Sequence, residues 1–289
     1  MEYYPPASNI GGTEKHGMSF LETILACPRC NKPIIPKRTI GICVKCKLSF
    51  RKTKGIWHFL YVKNKETKAS LEKYNIMHQE QFGGPNDGSY EILASFARGN
   101  RTVDIACGQG LIERLAPETV GVEFSLNALK KAKANGAKYL VLADAHYLPF
   151  KENAFDIAIS SGNLEHFINP QKAIEEMARV SKVQVQIVHK YPPVPFAPFF
   201  YTLVSRVLKI KHQPIENPIE EKKLLYTIKN AGLSIVYKGV WTLPVNYGRV
   251  IKILPELNSI PSSLFVISIK KSSKVKGQNS KVQFKIKKY

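Results

Sequence analysis

Four of the five cysteines fall into two pairs, Cys27-Pro28-Arg29-Cys30 and Cys43-Val44-Lys45-Cys46, in the frame C-x2-C-x12-C-x2-C. Each pair can fold into a tight knuckle that aims both sulfurs at one point. Four thiolates about 2.3 Å from a common centre then close a tetrahedral zinc shell. In an intracellular chain this spacing reads as metal before disulfide. The intervening residues leave room for a hairpin, and Pro28 and Lys47 suit the turns. A ribbon this small has little core of its own, so the metal would carry much of its folding.

Three carboxylates form a second set. Asp104 precedes the turn Ala106-Cys107-Gly108-Gln109-Gly110, Glu123 follows 19 residues after Asp104, and Asp144 lies beyond. The two glycines let the chain turn tightly and let a ligand approach the backbone. An acid about 20 residues further on can accept both hydroxyl hydrogens of a ribose. A third can accept from an exocyclic amine. Taken singly, each acid reads first as a loop or cap residue, but three at consecutive strand ends point to a ligand. The turn lacks the third glycine of GxGxxG, which disfavours a dinucleotide. Glu165 and His166 invite a general-base reading, with loop bracing as the plain alternative. His189 and Lys190 end a strand where acceptor contacts are plausible. Tyr74 and His78, four apart on a helix, can cover a cofactor or simply pack.

The elements that must position these groups alternate. Strands are expected at 102–106, 119–124, 137–143, 154–161 and 183–190, with helices between them at 111–116, from Leu126 to Gly136, and from Pro170 to Val180. Ser125 and Asn169 are placed to cap helices, and Asn217-Pro218 repeats the second cap. Helices are also expected at 65–82 and 89–98. Two late strands, 233–241 and 263–270, have only a loop-like connection at 242–262 and suit an antiparallel pair. Alternation of this kind argues for a parallel sheet covered on both faces, with ligands at the carboxyl ends of its strands. The organisation expected is a lead-in at 1–20, a zinc ribbon at 21–61, a larger domain at 65–270 and a Lys-rich mobile tail at 271–289.

Charge is uneven. The formal net charge is +21, with +9 in residues 1–70, −1 in 71–150, +5 in 151–269 and +8 in 270–289. Basic ends attract a polyanion such as nucleic acid or an anionic membrane surface. Lys32, Lys37, Arg38, Lys45, Lys47, Arg51, Lys52 and Lys54 surround the cysteines, and Trp57, His58, Phe59 and Tyr61 follow. Such a mixture can hold phosphates and stack bases. Phe50, Trp57 and Phe59 can equally cover the ribbon, and the charge can be a solubility or thermophile trait. The 289 residues suit about two domains. No secretory signal or spanning stretch is apparent, so the cytoplasm is the expected compartment. The segment 191–209, apolar and broken by four prolines, could wall an acceptor pocket, touch a membrane surface or seat the ribbon.

VDIACGQG, VGVEFS, LADAHYLPF and FDIAISSGNLEHFINPQKAIEEMARV together resemble a class I S-adenosylmethionine (SAM)-dependent methyltransferase of the type 11, UbiE-like branch, over about residues 71–270. The resemblance implies an α/β, Rossmann-like seven-stranded sheet with an antiparallel final strand. It implies that Asp104 supports the methionine end of SAM, that Ala106, Gly108 and Gly110 form the cofactor turn and that Glu123 holds the ribose. It further implies that Asp144 and Ala145 read the adenine, and that Ser161 and Gly162 flank the sulfonium. Ala106 departs from the family's usual glycine, and the usual Lys-Pro-Gly-Gly turn is missing where RVSK runs into VQVQ. With its zinc ribbon the chain also resembles ribosomal RNA guanine methyltransferases. That makes RNA the expected acceptor, through the ribbon and tail, with a small molecule or lipid as the alternative and a non-catalytic adaptor as a third reading.

Overall fold

The computed structural model describes residues 19–60, 65–77, 88–189, 219–242, 252–255 and 263–271. His78, Lys190, Asn217-Pro218, the segment 191–209 and the tail beyond Lys271 lie outside them.

The first described element is a short helix, α1 (Phe20–Ile24), where Ser19 N donates to Glu22 Oε2 at 3.0 Å. The strands β1 (Ile34–Lys37), β2 (Ile40–Cys43), β3 (Ser49–Thr53) and β4 (Ile56–His58) then form an antiparallel meander. Two helices follow, α2 (Lys65–Met77) and α3 (Ser89–Ala97). The alternating part comprises β5 (Thr102–Ile105), α4 (Leu111–Leu115), β6 (Val120–Glu123), α5 (Leu126–Ala134), β7 (Tyr139–Leu142), β8 (Phe155–Ser161), α6 (Pro170–Val180) and β9 (Ser181–His189). The last described elements are α7 (Glu221–Asn230), β10 (Leu233–Thr242), β11 (Lys252–Pro255) and β12 (Ser263–Lys270).

The twelve strands among the described residues form one sheet in the order β1-β2-β3-β4-β7-β6-β5-β8-β9-β12-β10-β11. Its centre is the expected seven-stranded unit, β7-β6-β5-β8-β9-β12-β10. There β7 through β9 run parallel, and β12 runs antiparallel to both β9 and β10. The middle strands β5 and β6 are buried at every residue, as a parallel sheet covered on both faces requires. Beyond each end of the unit the sheet continues. At one end β11 pairs with β10, so the connection read as loop contains a strand. At the other, β4 pairs in parallel with β7, Ile56 beside Leu140 and His58 beside Leu142. The ribbon strands are therefore hydrogen-bonded into the main sheet.

Local chemistry sets the helix starts. Ser125 Oγ accepts from Ala128 N at 3.3 Å, and Asn169 Oδ1 from Lys172 N at 3.0 Å, with Pro170 in the first turn. The apolar face of α6 buries Ala173, Ile174, Met177 and Val180. No glycine turn separates α6 from β9. Ser181 is already extended, with φ −129° and ψ 162°, and its hydroxyl donates to Met177 O at 2.8 Å. α7 begins at Glu221, with Glu220 at its cap.

Candidate functional site: a row of carboxylates and a cysteine cluster

Strand order sets the first site. Because β7, β6, β5 and β8 are neighbours in the sheet, their carboxyl ends lie side by side. Along that edge stand Asp144 just after β7, Glu123 ending β6, the turn 106–110 after β5, and Ser161-Gly162 at the end of β8. Asp104, Glu123, Asp144 and Ala145 are all buried, whereas Ser161 and Gly162 are half-buried. The structure thus brings the expected cofactor residues together.

The turn is held open by its neighbours. Ala106, Gly108 and Gly110 have φ of 61°, 54° and 72°. At Gly108 a Cβ would meet nothing within 4 Å, whereas at Gly110 it would stand 2.8 Å from Ala132 Cβ. Gly110 is therefore required for packing against α5, and Gly108 faces open space. Ala106 adopts the left-handed conformation that an L side chain enters only at a cost of about 1 kcal/mol. Glu123 ties the edge together: Gly108 N donates to its Oε2 at 3.1 Å, and Phe124 N and Ser125 N donate to its Oε1 at 2.7 and 2.8 Å. Asp144 Oδ1 accepts from His146 N at 2.9 Å and lies 2.5 Å from His146 Nδ1.

Several participants carry no obvious sequence signal. Asn163 Nδ2 donates to Ile105 O at 3.0 Å and so braces the turn from the β8 side. Asn75, without such a signal, and Tyr74, read from the sequence as a cover or packing residue, bring α2 over the same edge: Tyr74 Oη donates to His166 O at 3.4 Å, and Asn127 Nδ2 donates to Asn75 O at 2.9 Å. Glu113 on α4 is wholly buried. A Cβ on Gly121 would meet its Oε1 at 3.0 Å and Cys107 Sγ at 2.8 Å, which places both groups against β6. Burial, then the charges of Glu113 and Glu123, hold Asp104 well above the usual carboxylate range. Burial likewise pushes Glu113 up to about 8 and Cys107 well above an ordinary thiol. A catalytic thiolate at Cys107 is therefore disfavoured.

Glu165 and His166 lie in a 3-10 turn, Leu164–His166, beyond β8. Glu165 is buried, and its Oε1 is 4.0 Å from His166 Nε2. His189 ends β9 opposite Ser263, and its side chain lies outside the described residues.

The cysteines make the second cluster. The sulfurs of Cys27, Cys30, Cys43 and Cys46 lie within 4.8 Å of one another. Cys27–Cys46 and Cys30–Cys43 are 3.5 Å apart and Cys30–Cys46 is 3.8 Å. Metal bonds of about 2.3 Å in a tetrahedron demand sulfur–sulfur edges of about 3.8 Å, so this donor set fits zinc. The knuckles are built alike: Asn31 after Cys30 and Lys47 after Cys46 both take positive φ, 55° and 59°. Burial pushes the Cys27 thiol up to about 12. At Cys43 burial acts the same way, but the backbone N–H groups of Cys46 and Lys45, together with the Cys46 and Cys30 thiols, outweigh it and bring the thiol down to about 6.

The ribbon and the row are physically joined. Ala26 N donates to Pro149 O at 2.8 Å and Lys151 N to Ile24 O at 2.9 Å, with a bridge between Leu25 and Phe150. The other side of this loop, which follows Asp144, is clamped by α6. Leu148 N donates to Glu176 Oε2 at 2.9 Å, and Arg179 donates to Phe150 O at 2.6 Å and Leu148 O at 2.8 Å.

Comparison with known proteins agrees with this geometry. Residues 103–188 match the family model of a methyltransferase domain. The chain is 33% identical over 112 residues to a demethylmenaquinone methyltransferase of Paenarthrobacter aurescens, covering 36% of this chain and 44% of that one. It is 32% identical over 117 residues to the human mitochondrial arginine-hydroxylase NDUFAF5, covering 38% and 33%. The chain thus spans less than half the length of these relatives. A solved SAM-dependent methyltransferase from Thermotoga maritima superposes with a TM-score of 0.51 at 18% identity, covering 71% of this chain and 97% of that one. Residues 103–188 thus match a methyltransferase domain, and the fold is the Rossmann-like one of that solved methyltransferase. Among the described residues no helix is long and apolar enough to cross a membrane.

Proposed function

We propose that the chain is a SAM-dependent methyltransferase whose four-cysteine ribbon holds one structural zinc ion. The observation that carries the enzyme reading is the row Asp144, Glu123, turn 106–110 and Ser161-Gly162 on four adjacent strand ends. A bound sulfonium supplies an already activated methyl group, so the protein's part is position and desolvation. Asp104 supports the turn from beneath, Gly108 leaves the backbone open to the methionine end, and Glu123 takes the ribose hydroxyls. Asp144, beside Ala145, accepts from the adenine amine. Ser161 and Gly162 flank the reacting centre. Glu165 and His166 are the groups placed to take a proton from the acceptor, and His189 joins them on its strand position alone.

Calorimetric titration with SAM tests this reading. Glu123→Ala and Asp144→Ala should each remove hydrogen bonds worth about 1–3 kcal/mol of affinity. Unchanged affinity in both would remove the assignment. Metal analysis should return about one zinc per chain, and a folded, metal-free ribbon would overturn the zinc reading.

For the acceptor, the basic ribbon supports RNA. Against this, Phe50, Trp57 and Phe59 are buried and pack on one another, the Phe59 ring centroid lying 4.6 Å from that of Phe50 and 5.8 Å from that of Trp57. The ribbon offers cations for phosphates without these three aromatic faces for bases. A small apolar acceptor is the better supported reading, in keeping with the activity named for the demethylmenaquinone methyltransferase. Transfer of labelled methyl into a lysate decides between them. Label in the organic phase supports the small acceptor, and label lost on nuclease treatment supports RNA.

A further inference from the structure

The ribbon sheet leaves one face open, and that face is both aliphatic and cationic. Ile35 lies opposite Ile42, Lys37 opposite Ile40, Ile40 opposite Arg51 and Ile42 opposite Ser49. Directly opposed residues project to the same side of a sheet, so these six share one face. The reverse face carries Ile34, Cys43, Phe50 and Trp57, all buried. On the open side Ile35 is 53% exposed, Ile40 42% and Ile42 38%, and Val44 in the second knuckle is 40% exposed.

Exposed Lys37, Arg38, Lys45, Lys47 and Arg51 surround these side chains. The one acid among residues 19–60 is Glu22, whose Oε1 is held by Lys52 at 2.8 Å. A second copy of this face would bring like charges together. A nucleic acid would use the cations and leave four aliphatic side chains in water. A surface that is negative outside and apolar just beneath satisfies both features. We propose that the outer face of β1–β3 docks on a bilayer rich in anionic phospholipid. Ile35, Ile40 and Ile42 enter the headgroup–acyl boundary, while Lys37, Arg38 and Arg51 reach the phosphates. The proposal goes beyond the methyl-transfer reading and does not depend on it.

Flotation of the full chain tests it, with vesicles of phosphatidylcholine alone or with about a quarter phosphatidylglycerol. The variants are the doubles Ile35→Ser/Ile42→Ser and Lys37→Glu/Arg51→Glu, at exposed sites, with circular dichroism melts confirming that each folds. The expected result is flotation only with the anionic vesicles, weakened roughly tenfold or more by either double variant and by high salt. Failure of the wild type to float overturns the proposal. Flotation untouched by the serine variant also overturns it, since charge adsorption alone would then suffice. Light scattering that shows self-association lost in the serine variant, without flotation, assigns the face to a second copy. RNA binding that needs Lys37 and Arg51 but ignores Ile35 and Ile42, without flotation, assigns it to nucleic acid.

Discussion

Ser125 and Asn75 are joined across fifty residues of sequence, the Ser125 hydroxyl donating to Asn75 Oδ1 at 2.9 Å. The same oxygen caps α5, and Ser125 N is one of the donors to Glu123. Helix α2 is thereby latched to Ser125, two residues after Glu123, the position proposed to hold the ribose. Asn75→Ala should raise the dissociation constant for SAM severalfold, since a net hydrogen bond is worth about 1 kcal/mol, and leave the melting temperature almost unchanged. Paired calorimetry and thermal melts check this. An unaltered dissociation constant would mean that α2 does not gate the edge.

Zinc removal should be felt at the cofactor. The knuckle Cys27–Cys30 begins one residue after Ala26, which donates to Pro149 in the loop that follows Asp144. Chelation, or Cys43→Ser, should therefore weaken SAM binding as well as lower the melting temperature. If affinity survives intact, the ribbon is an independent module and the coupling fails.

The buried carboxyl of Glu113 should shape the pH profile of stability. It is packed near Asp104, Cys107 and Glu123, and its raised folded value of about 8 means that the native state holds a proton the unfolded state has lost. Stability from this group is present below the unfolded value of about 4.3 and falls as pH rises toward 8. Glu113→Gln should flatten that decline, adding about 1–3 kcal/mol at pH 8 in urea titrations. Parallel wild-type and variant curves would show that Glu113 is ionised in the native protein.

Ala106→Gly should stabilise the turn by up to about 1 kcal/mol, because φ of 61° strains an alanine. The greater freedom of glycine in the unfolded chain offsets part of that gain. A drop in melting temperature would mean that the Ala106 methyl makes packing contacts that outweigh the strain.

The clustering of the four cysteines and the alignment of the three strand-end acids were legible because both follow from spacing along the chain. Ser125 and Asn169 were legible as caps for the same local reason. Helix α1 had a readable signal too, Ser19-x-x-Glu22, hidden in what looks like a loose lead-in. Strand β11 did not, since four residues between prolines and glycines are held by pairing with β10 rather than by their own pattern. The same holds for β4 beside β7: about eighty positions separate the partners, and periodicity reports only on neighbours. Glu113 carries no mark of burial in its helix segment, and only tertiary packing reveals it as buried.

The pairing of β4 with β7 also decides who guards the sheet. In a free-standing domain cut at about residue 65, β7 would present a row of unpaired N–H and C=O groups to any passing chain. In the intact protein the exposed margin passes outward to β1, which is four residues long and carries Pro36, without an N–H, and Lys37. The four-cysteine ribbon thus doubles as a hem. Excising it should give a methyltransferase domain that precipitates rather than one that merely loses zinc.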